Sequence, residues 1–271
     1  MYNSIGGLET IVRSISNLGV LPVNLLHKIV FCSFAKAGLS LFNATNSQRI
    51  ELENIMKTIP ASYQGLLSGK LYLSALKFIR SLKEFLEETR RTVILEEANL
   101  QFILDFLKEK VGKVGGVIVL DCGSIPELFT IASKFAYLNR NITIYDKVFV
   151  NPIGTTKFLT EQLAYFGHET VLKYYAELLK KELGAKFDIK ISTIDLIVHQ
   201  YGVTVGRFLN LLDTKKIFEQ INHFVKQDSI LVTADHGYDL VADEHGLYVT
   251  HGYKKECPLN FSRIALFLII D

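Results

Sequence analysis

The sequence lacks several features that would assign it to a familiar class. It has only three cysteines in 271 residues, and they form no CxxC pair and no zinc-knuckle spacing. This usage favours a reducing, intracellular compartment, so we expect a cytoplasmic protein. The formal net charge is only +2, which does not indicate a generally basic surface for nucleic acid, although a local basic patch remains compatible with it.

The sequence also lacks a membrane-spanning run and a signal peptide. The apolar stretch 20–42 is broken by His27 and Lys36, short of the roughly 18–20 apolar residues that a span needs. Glu9 interrupts the N-terminus, where a signal peptide would have a clean apolar run. We therefore expect a soluble protein without a membrane span, and a peripheral membrane contact through residues 15–42 stays open.

The character of the chain changes near residue 113. Residues 1–112 show apolar positions at helical spacing and predict an all-helical N-terminal domain of four to six helices. Gly112, Gly115 and Gly116 then punctuate the chain. Residues 113–271 alternate between short apolar runs, loops and amphipathic patterns, and they predict a second domain of α/β class.

The second domain is predicted to hold a doubly wound, mostly parallel sheet, because strands that alternate with helices build such sheets. The apolar runs that predict strands are 117–120, 194–198, 230–233 and 264–270, and the run 142–150 predicts one or two more. The patterns that predict helices are 126–138, 157–166, 170–183 and 215–225.

Acidic and imidazole side chains follow two of the predicted strands. Asp121 ends the strand 117–120, and Asp235 and His236 follow the strand 230–233. Ligands of open parallel sheets bind beyond the carboxyl ends of the strands. Carboxylates with an imidazole form a plausible site for a divalent metal. The competing interpretation is that each aspartate only caps the next helix or binds water.

A segment with two hydroxyls, Asn-Pro-Ile-Gly-Thr-Thr at 151–156, lies between a predicted strand and a predicted helix. A hydroxyl there would meet free backbone N–H groups that favour anions, which suits a nucleophile in phosphoryl transfer. The simpler interpretation is that Thr155 or Thr156 caps the helix. Further along, His236, His245 and His251 cluster near Asp235.

The order of these features resembles the alkaline phosphatase superfamily, and within it the PglZ-type domains. The carrying segments span residues 117–271 and read VIVLDCGSIPEL, VFVNPIGTTKFLTEQLAYFG, ILVTADHG and YVTHGYKKECPLNFSRIALFLI. Members of the superfamily more often read Asp-Gly or Asp-x-Gly at the first aspartate, where this chain reads Asp-Cys-Gly at 121–123. The resemblance implies an alkaline-phosphatase-like α/β fold.

The resemblance also implies a metal-dependent phosphoryl hydrolase, a phosphodiesterase or phosphomonoesterase, with one or two divalent ions of zinc or manganese. The implied nucleophile is Thr155, or Thr156 if the register shifts by one. The implied ligands are Asp121, Asp235 and His236 for one ion, and His251 for a second.

Binding of a second ion would require the Asp-x-x-x-His element that superfamily members carry. This chain can be aligned with that element in two ways. Asp195 and His199 have this spacing but lie in the predicted strand 194–198, where residues four apart are ~13 Å from each other. The other alignment places the element at 203–207 and loses both ligands. We favour the second alignment, in which His199 is a strand-end histidine or a lone substitute ligand.

The remaining expectations concern the substrate and the alternatives. Arg207, Lys157 and Arg263 are candidates for binding substrate phosphate, with solvated surface charges as the simpler interpretation. Candidate substrates are phosphate esters, including nucleotides and oligonucleotides. The alternative function is a catalytically degenerate, phosphatase-like adaptor that binds a protein partner through its helical domain. A dinucleotide-binding domain is disfavoured, because the turn at 121–127 lacks the G-x-G-x-x-G pattern.

Overall fold

The computed structural model describes residues 5–41, 44–89, 96–163, 168–200, 203–226, 228–244, 246–252 and 259–271. The helices in these ranges are α1 (Leu8–Ile15), α2 (Val23–Leu41), α3 (Asn46–Lys57), α4 (Ala61–Gln64), α5 (Lys70–Thr89), α6 (Leu100–Lys110), α7 (Ile125–Tyr137), α8 (Lys157–Gln162), α9 (His168–Glu182), α10 (Thr193–Val198), α11 (Val205–Leu211) and α12 (Thr214–Val225). The strands are β1 (Gly116–Leu120), β2 (Ile142–Ile144), β3 (Phe149–Val150), β4 (Phe187–Ile191), β5 (Ile230–Ala234), β6 (Asp239–Asp243), β7 (Gly246–Thr250), β8 (Ile264–Ala265) and β9 (Leu268–Ile270).

The main sheet has five strands in the order β2-β9-β5-β1-β4. Strand β1 lies between β4 and β5 and runs parallel to both. Strand β9 runs antiparallel to β5 and β2, so the sheet is mixed. All five residues of β1 and of β5 are buried, as their continuous apolar sequences predict for central strands. The predicted α/β class is confirmed.

Two predicted strands divide between separate sheets. The run 142–150 forms β2 in the main sheet and β3 in a two-stranded sheet with β8. The run 264–270 likewise forms β8 and β9, and it turns from one sheet to the other in between. The hairpin of β6 and β7 was not predicted from the sequence.

The predicted strand at 194–198 is wrong, because these residues form helix α10. Ile194, Ile197 and Val198 are buried at the i, i+3 and i+4 spacing of a helix, while Leu196 is exposed. The parallel edge strand is instead β4, which immediately precedes α10. A run this short is ambiguous between strand and helix from its apolar content alone.

The described part of residues 1–112 contains six α-helices, α1 to α6, within the predicted range of four to six. One hydrophobic core includes residues from both sides of residue 112. Phe34 of α2, for example, stacks on Phe129 of α7 at 6.0 Å and meets Phe261 edge-on at 5.3 Å. The division into two domains at residue 112 therefore stays a prediction. Within the described ranges, no helix combines the length and apolar character needed to cross a bilayer.

The sheet brings three chain segments to one edge. Parallel β1, β4 and β5 are adjacent, so the residues that follow their carboxyl ends are neighbours. Asp121 follows β1, helix α10 follows β4, and Asp235 follows β5. The strand order alone therefore places these three segments next to one another.

The loop after β5 is packed so closely that it has room only for glycine at position 237. A Cβ atom there would lie 2.5 Å from the carbonyl oxygen of Phe261 and 2.9 Å from Ser124 Oγ. We expect Gly237→Ala to lower the free energy of unfolding by about 1–3 kcal/mol, the usual cost of overpacking, as measured by urea denaturation.

Gly65→Ala is the control for this substitution. A Cβ atom at Gly65 meets nothing within 4 Å, and the residue has a helical φ of −59°. This change should be neutral or raise the free energy of unfolding by about 0.4–1 kcal/mol. Equal destabilisation by both alanines would contradict the packing described for the β5 loop.

Candidate metal centre

The first group of candidate ligands consists of Asp121, Asp235 and His236. All three are buried, and one potential ligand atom from each lies within 4.8 Å of the others. This is the group that the sequence predicted at the ends of two strands. Oxygen and imidazole nitrogen donors suit zinc and manganese, so the residues present fit a divalent ion.

His236 is oriented by its own loop. The ring Nδ1 lies 2.9 Å from the carbonyl oxygen of Gly237, so Nδ1–H donates there. This hydrogen bond leaves Nε2 with its lone pair, 3.4 Å from Asp235 Oδ2. Metal-binding histidines are commonly held in this way, with one nitrogen donating to backbone and the other directed at the ion.

Thr156 is the hydroxyl that reaches the first group. Its Oγ1 donates to Asp235 Oδ2 at 2.8 Å and lies 3.2 Å from His236 Nε2. Although Thr156 occupies the N-cap position of α8, its side chain makes no capping hydrogen bond. The simpler interpretation from the sequence, that this hydroxyl caps the helix, therefore does not hold for Thr156. Thr155 also lines the cavity, but its recorded hydrogen bonds use its backbone oxygen.

A second group consists of Asp195, His199 and His251, whose potential ligand atoms also lie within 4.8 Å of one another. Asp195 and His199 are one turn apart at α10, with 3.3 Å between Oδ1 and Nε2. The separation of ~13 Å expected for a strand is therefore wrong, and so is the reason for favouring the alignment at 203–207. The rings of His199 and His251 have centroids 4.5 Å apart.

Asp195 is the ligand candidate that the sequence analysis set aside. Its signal was present, since the Asp-x-x-x-His spacing puts both side chains on one face of a helix. The strand prediction concealed that signal. His245, the third histidine of the late cluster, lies outside the described residues.

Asp121 of the first group and all three residues of the second group line one cavity of about 410 Å³. The residues that line it are Asp121, Thr155, Thr156, Lys157, Leu172, Lys190, Asp195, His199 and His251. The groups also meet through their histidines, since the ring centroids of His236 and His251 are 5.5 Å apart. The cavity thus presents the Thr156 residue, Asp121 and the second group to a common space, with Asp235 and His236 directly behind Thr156.

Two lysines bring positive charge to the cavity. Lys157 lines it, as the sequence predicted for a phosphate-binding residue. Lys190 of β4 lines it as well, with Nζ 3.0 Å from Asp121 Oδ2, and was not predicted. Arg207 is exposed on α11, donates to Gln200 Oε1 at 3.5 Å, and does not line this cavity. A role for Arg207 in substrate binding therefore has no support from its position.

The residue after Asp121 has the backbone conformation of a glycine. Cys122 has a φ of 60°, in the left-handed region that side chains disfavour. Its backbone N–H points to Asp235 Oδ1 at 3.4 Å, and its thiol donates to the carbonyl oxygen of Gly237 at 3.5 Å. Cys122 therefore links the loops after β1 and β5 from a backbone conformation that glycine adopts most readily.

The electrostatics of the cavity disfavour carboxylates without a cation. Burial, and to a smaller extent the nearby Asp121, raises the pKa of Asp235 above its usual value, against the lowering effect of His236. Burial and the nearby Asp121 likewise raise the pKa of Asp195. A divalent ion would offset both effects, because it places positive charge among the carboxylates.

The raised pKa of Asp235 predicts that Asp235→Asn stabilises the metal-free protein at pH 8. The folded state binds the Asp235 proton more tightly than the unfolded state, so stability attributable to this group falls as pH rises through the interval between the two pKa values. Asparagine removes the buried charge and keeps the Oδ1 acceptor for Cys122 N–H. Urea denaturation with a chelator present should show a higher free energy of unfolding for the variant at pH 8.

The same measurement near pH 4 supplies the control. The advantage of Asp235→Asn should shrink there, because pH 4 is close to the ordinary pKa of an aspartate and the unfolded wild type then gains little free energy from ionising this group. Excess Zn²⁺ at pH 8 should reverse the order, since only the wild type gains metal-binding free energy. If Asp235→Asn is less stable than the wild type under every condition, the buried charge of Asp235 does not lower the free energy of unfolding as described.

Comparison with known proteins adds no family assignment. No protein-family model matches this sequence, and a search of curated proteins finds no significant match. The resemblance to the alkaline phosphatase superfamily therefore stays a hypothesis that rests on the residues of the cavity.

Proposed function

We propose that this protein is a metal-dependent phosphoryl hydrolase with Thr156 as its nucleophile. The observation that carries the proposal is the position of the Thr156 hydroxyl. It donates to Asp235 and does not cap its own helix. Thr156 also lines a cavity together with Asp121 of the first metal-ligand group and all three residues of the second. An alkaline-phosphatase-like topology and a PglZ-type relationship belong to the same proposal.

The two groups would hold one divalent ion each. Asp121, Asp235 and His236 are placed for the ion next to Thr156. The second group, Asp195 with the two histidines, is placed for the other. When bound, such ions lower the pKa of a coordinated hydroxyl and stabilise the negative charge of a transferring phosphoryl group.

The chain itself supplies the nucleophile and the charge around it. Thr156 Oγ1 forms a bond to phosphorus as the bond from phosphorus to the leaving oxygen breaks. Water then hydrolyses the phosphothreonine, which releases phosphate and restores the hydroxyl. Lys157 and Lys190 are placed to neutralise phosphoryl oxygens in the cavity.

The alternative of a catalytically degenerate adaptor loses its main motivation. That hypothesis arose because the second metal site lacked its Asp-x-x-x-His element. The proximity of Asp195, His199 and His251 supports a complete second site. Among the described residues, no feature favours the adaptor over the enzyme.

The nucleophile is tested by Thr156→Ala. With Zn²⁺ or Mn²⁺ present, we expect kcat for p-nitrophenyl phosphate or bis(p-nitrophenyl) phosphate to fall on the order of 10³-fold or more, because the attacking oxygen is gone. Thr156→Ser keeps a hydroxyl and should retain far more activity. Thr155→Ala should cost much less than Thr156→Ala, which would decide between the two registers.

Thr160→Ala is the matched control for this test. Thr160 lies in the same helix, where its hydroxyl donates to the Thr156 carbonyl oxygen at 3.4 Å, and it does not line the cavity. Its activity should stay close to that of the wild type. Hydrolysis by Thr156→Ala at the wild-type rate would rule out the proposed nucleophile.

A further inference from the structure

A buried hydrogen-bond network links the N-terminal helices to the first metal-ligand group. It consists of His27 of α2, Glu127 and Ser124 at the start of α7, and Tyr238 after β5. We infer that His27, acting through Glu127, is a positioning residue for the loops that carry Asp121, Asp235 and His236. This inference rests on the proposed metal centre and assigns a role to the helical segment.

The carboxylate of Glu127 is the centre of the network. Its Oε1 lies 2.5 Å from His27 Nε2 and accepts the Tyr238 hydroxyl at 2.6 Å. Its Oε2 accepts the backbone N–H of Ser124 at 3.1 Å. Glu127 and Tyr238 have no exposed surface, and His27 is 2 % exposed.

Each partner is needed because the Glu127 side chain is fully buried. A buried carboxylate that loses one of its donors keeps the full cost of its desolvation. Burial, and next the neighbouring Glu127, raises the pKa of Tyr238, so its hydroxyl keeps its proton and donates. Both Glu127 oxygens therefore accept hydrogen bonds. Of the three donors, only His27 Nε2–H comes from the N-terminal segment.

The network ends on the backbone next to the ligands. Ser124 Oγ donates to the carbonyl oxygen of Tyr238 at 3.3 Å and so ties the loop after β1 to the loop after β5. Tyr238 follows Gly237, whose carbonyl oxygen holds His236 Nδ1. A shift of Tyr238 would therefore change the direction in which His236 Nε2 points.

The second metal-ligand group is held differently. Asp195 and His199 belong to α10 and its end, and His251 follows β7. None of the four side chains of the network comes from these elements. Loss of the network should therefore weaken one metal site and spare the other, whereas general destabilisation would not distinguish between them.

The test is a Zn²⁺ titration by calorimetry, repeated with Co²⁺ to follow its visible absorption, on the full chain. The wild type should bind two equivalents. His27→Leu should weaken one of them by about 10–100-fold, the usual effect of losing a group that orients a ligand, and should leave the other within about threefold. His27→Gln, which restores an N–H donor towards Glu127, should recover most of the lost affinity.

Ser33→Ala is the matched control on the same helix. Ser33 is also buried in α2, but its hydroxyl donates to the Ile29 carbonyl oxygen and takes no part in the network. It should bind both equivalents as the wild type does. If His27→Leu does not fold, Tyr238→Phe removes only a hydroxyl and should weaken the same site.

The outcomes separate this inference from the proposed function. If the wild type binds two equivalents and His27→Leu or Tyr238→Phe binds both with the same affinities, the inference is overturned and the proposed metal centre stands. Equal weakening of both sites, in parallel with thermal stability, would also overturn it. A wild type that binds no metal would overturn the proposed function, and the inference with it.

Discussion

The candidate site is built on three carboxylates that lie together at one edge of the main sheet. Asp121, Asp195 and Asp235 follow three adjacent parallel strands, and the pKa values of the last two are raised by burial and by their acidic neighbours. Such a cluster opposes folding unless a cation compensates for it. The imidazoles beside it complete two sets of donors that suit a divalent ion. The same groups that cost stability without a metal are therefore the ones that would bind it.

The rest of the fold keeps these carboxylates close together despite their mutual repulsion. Two central strands buried along their whole length fix where the loops begin. Glycine at 237 and the left-handed Cys122 let the two ligand loops approach each other closely. The N-terminal helices share the core and contribute a histidine to the network behind these loops. The helical segment is thus part of the support of the site.

The sequence predicted the parts of this site that follow correctly predicted strands. Asp121, Asp235 and His236 come after the apolar runs 117–120 and 230–233, which form β1 and β5, and they lie together in the structure. The sequence-based prediction failed at 194–198, because these five residues fit a strand or a helix equally well. They form helix α10, and the strand prediction removed Asp195 from the candidate ligands. Lys190 and His27 could not be identified, because their roles arise from contacts with residues 69 and 100 positions away that no local pattern encodes.

The central claim is that two divalent ions bind side by side at the carboxyl ends of β1, β4 and β5. The most direct measurement is anomalous X-ray diffraction from crystals grown with Zn²⁺, recorded on both sides of the zinc edge. We expect two anomalous peaks, one among Asp121, Asp235 and His236 and the other among Asp195, His199 and His251. Ordered side chains in this arrangement, with no anomalous peak at either group despite excess Zn²⁺, would contradict this claim.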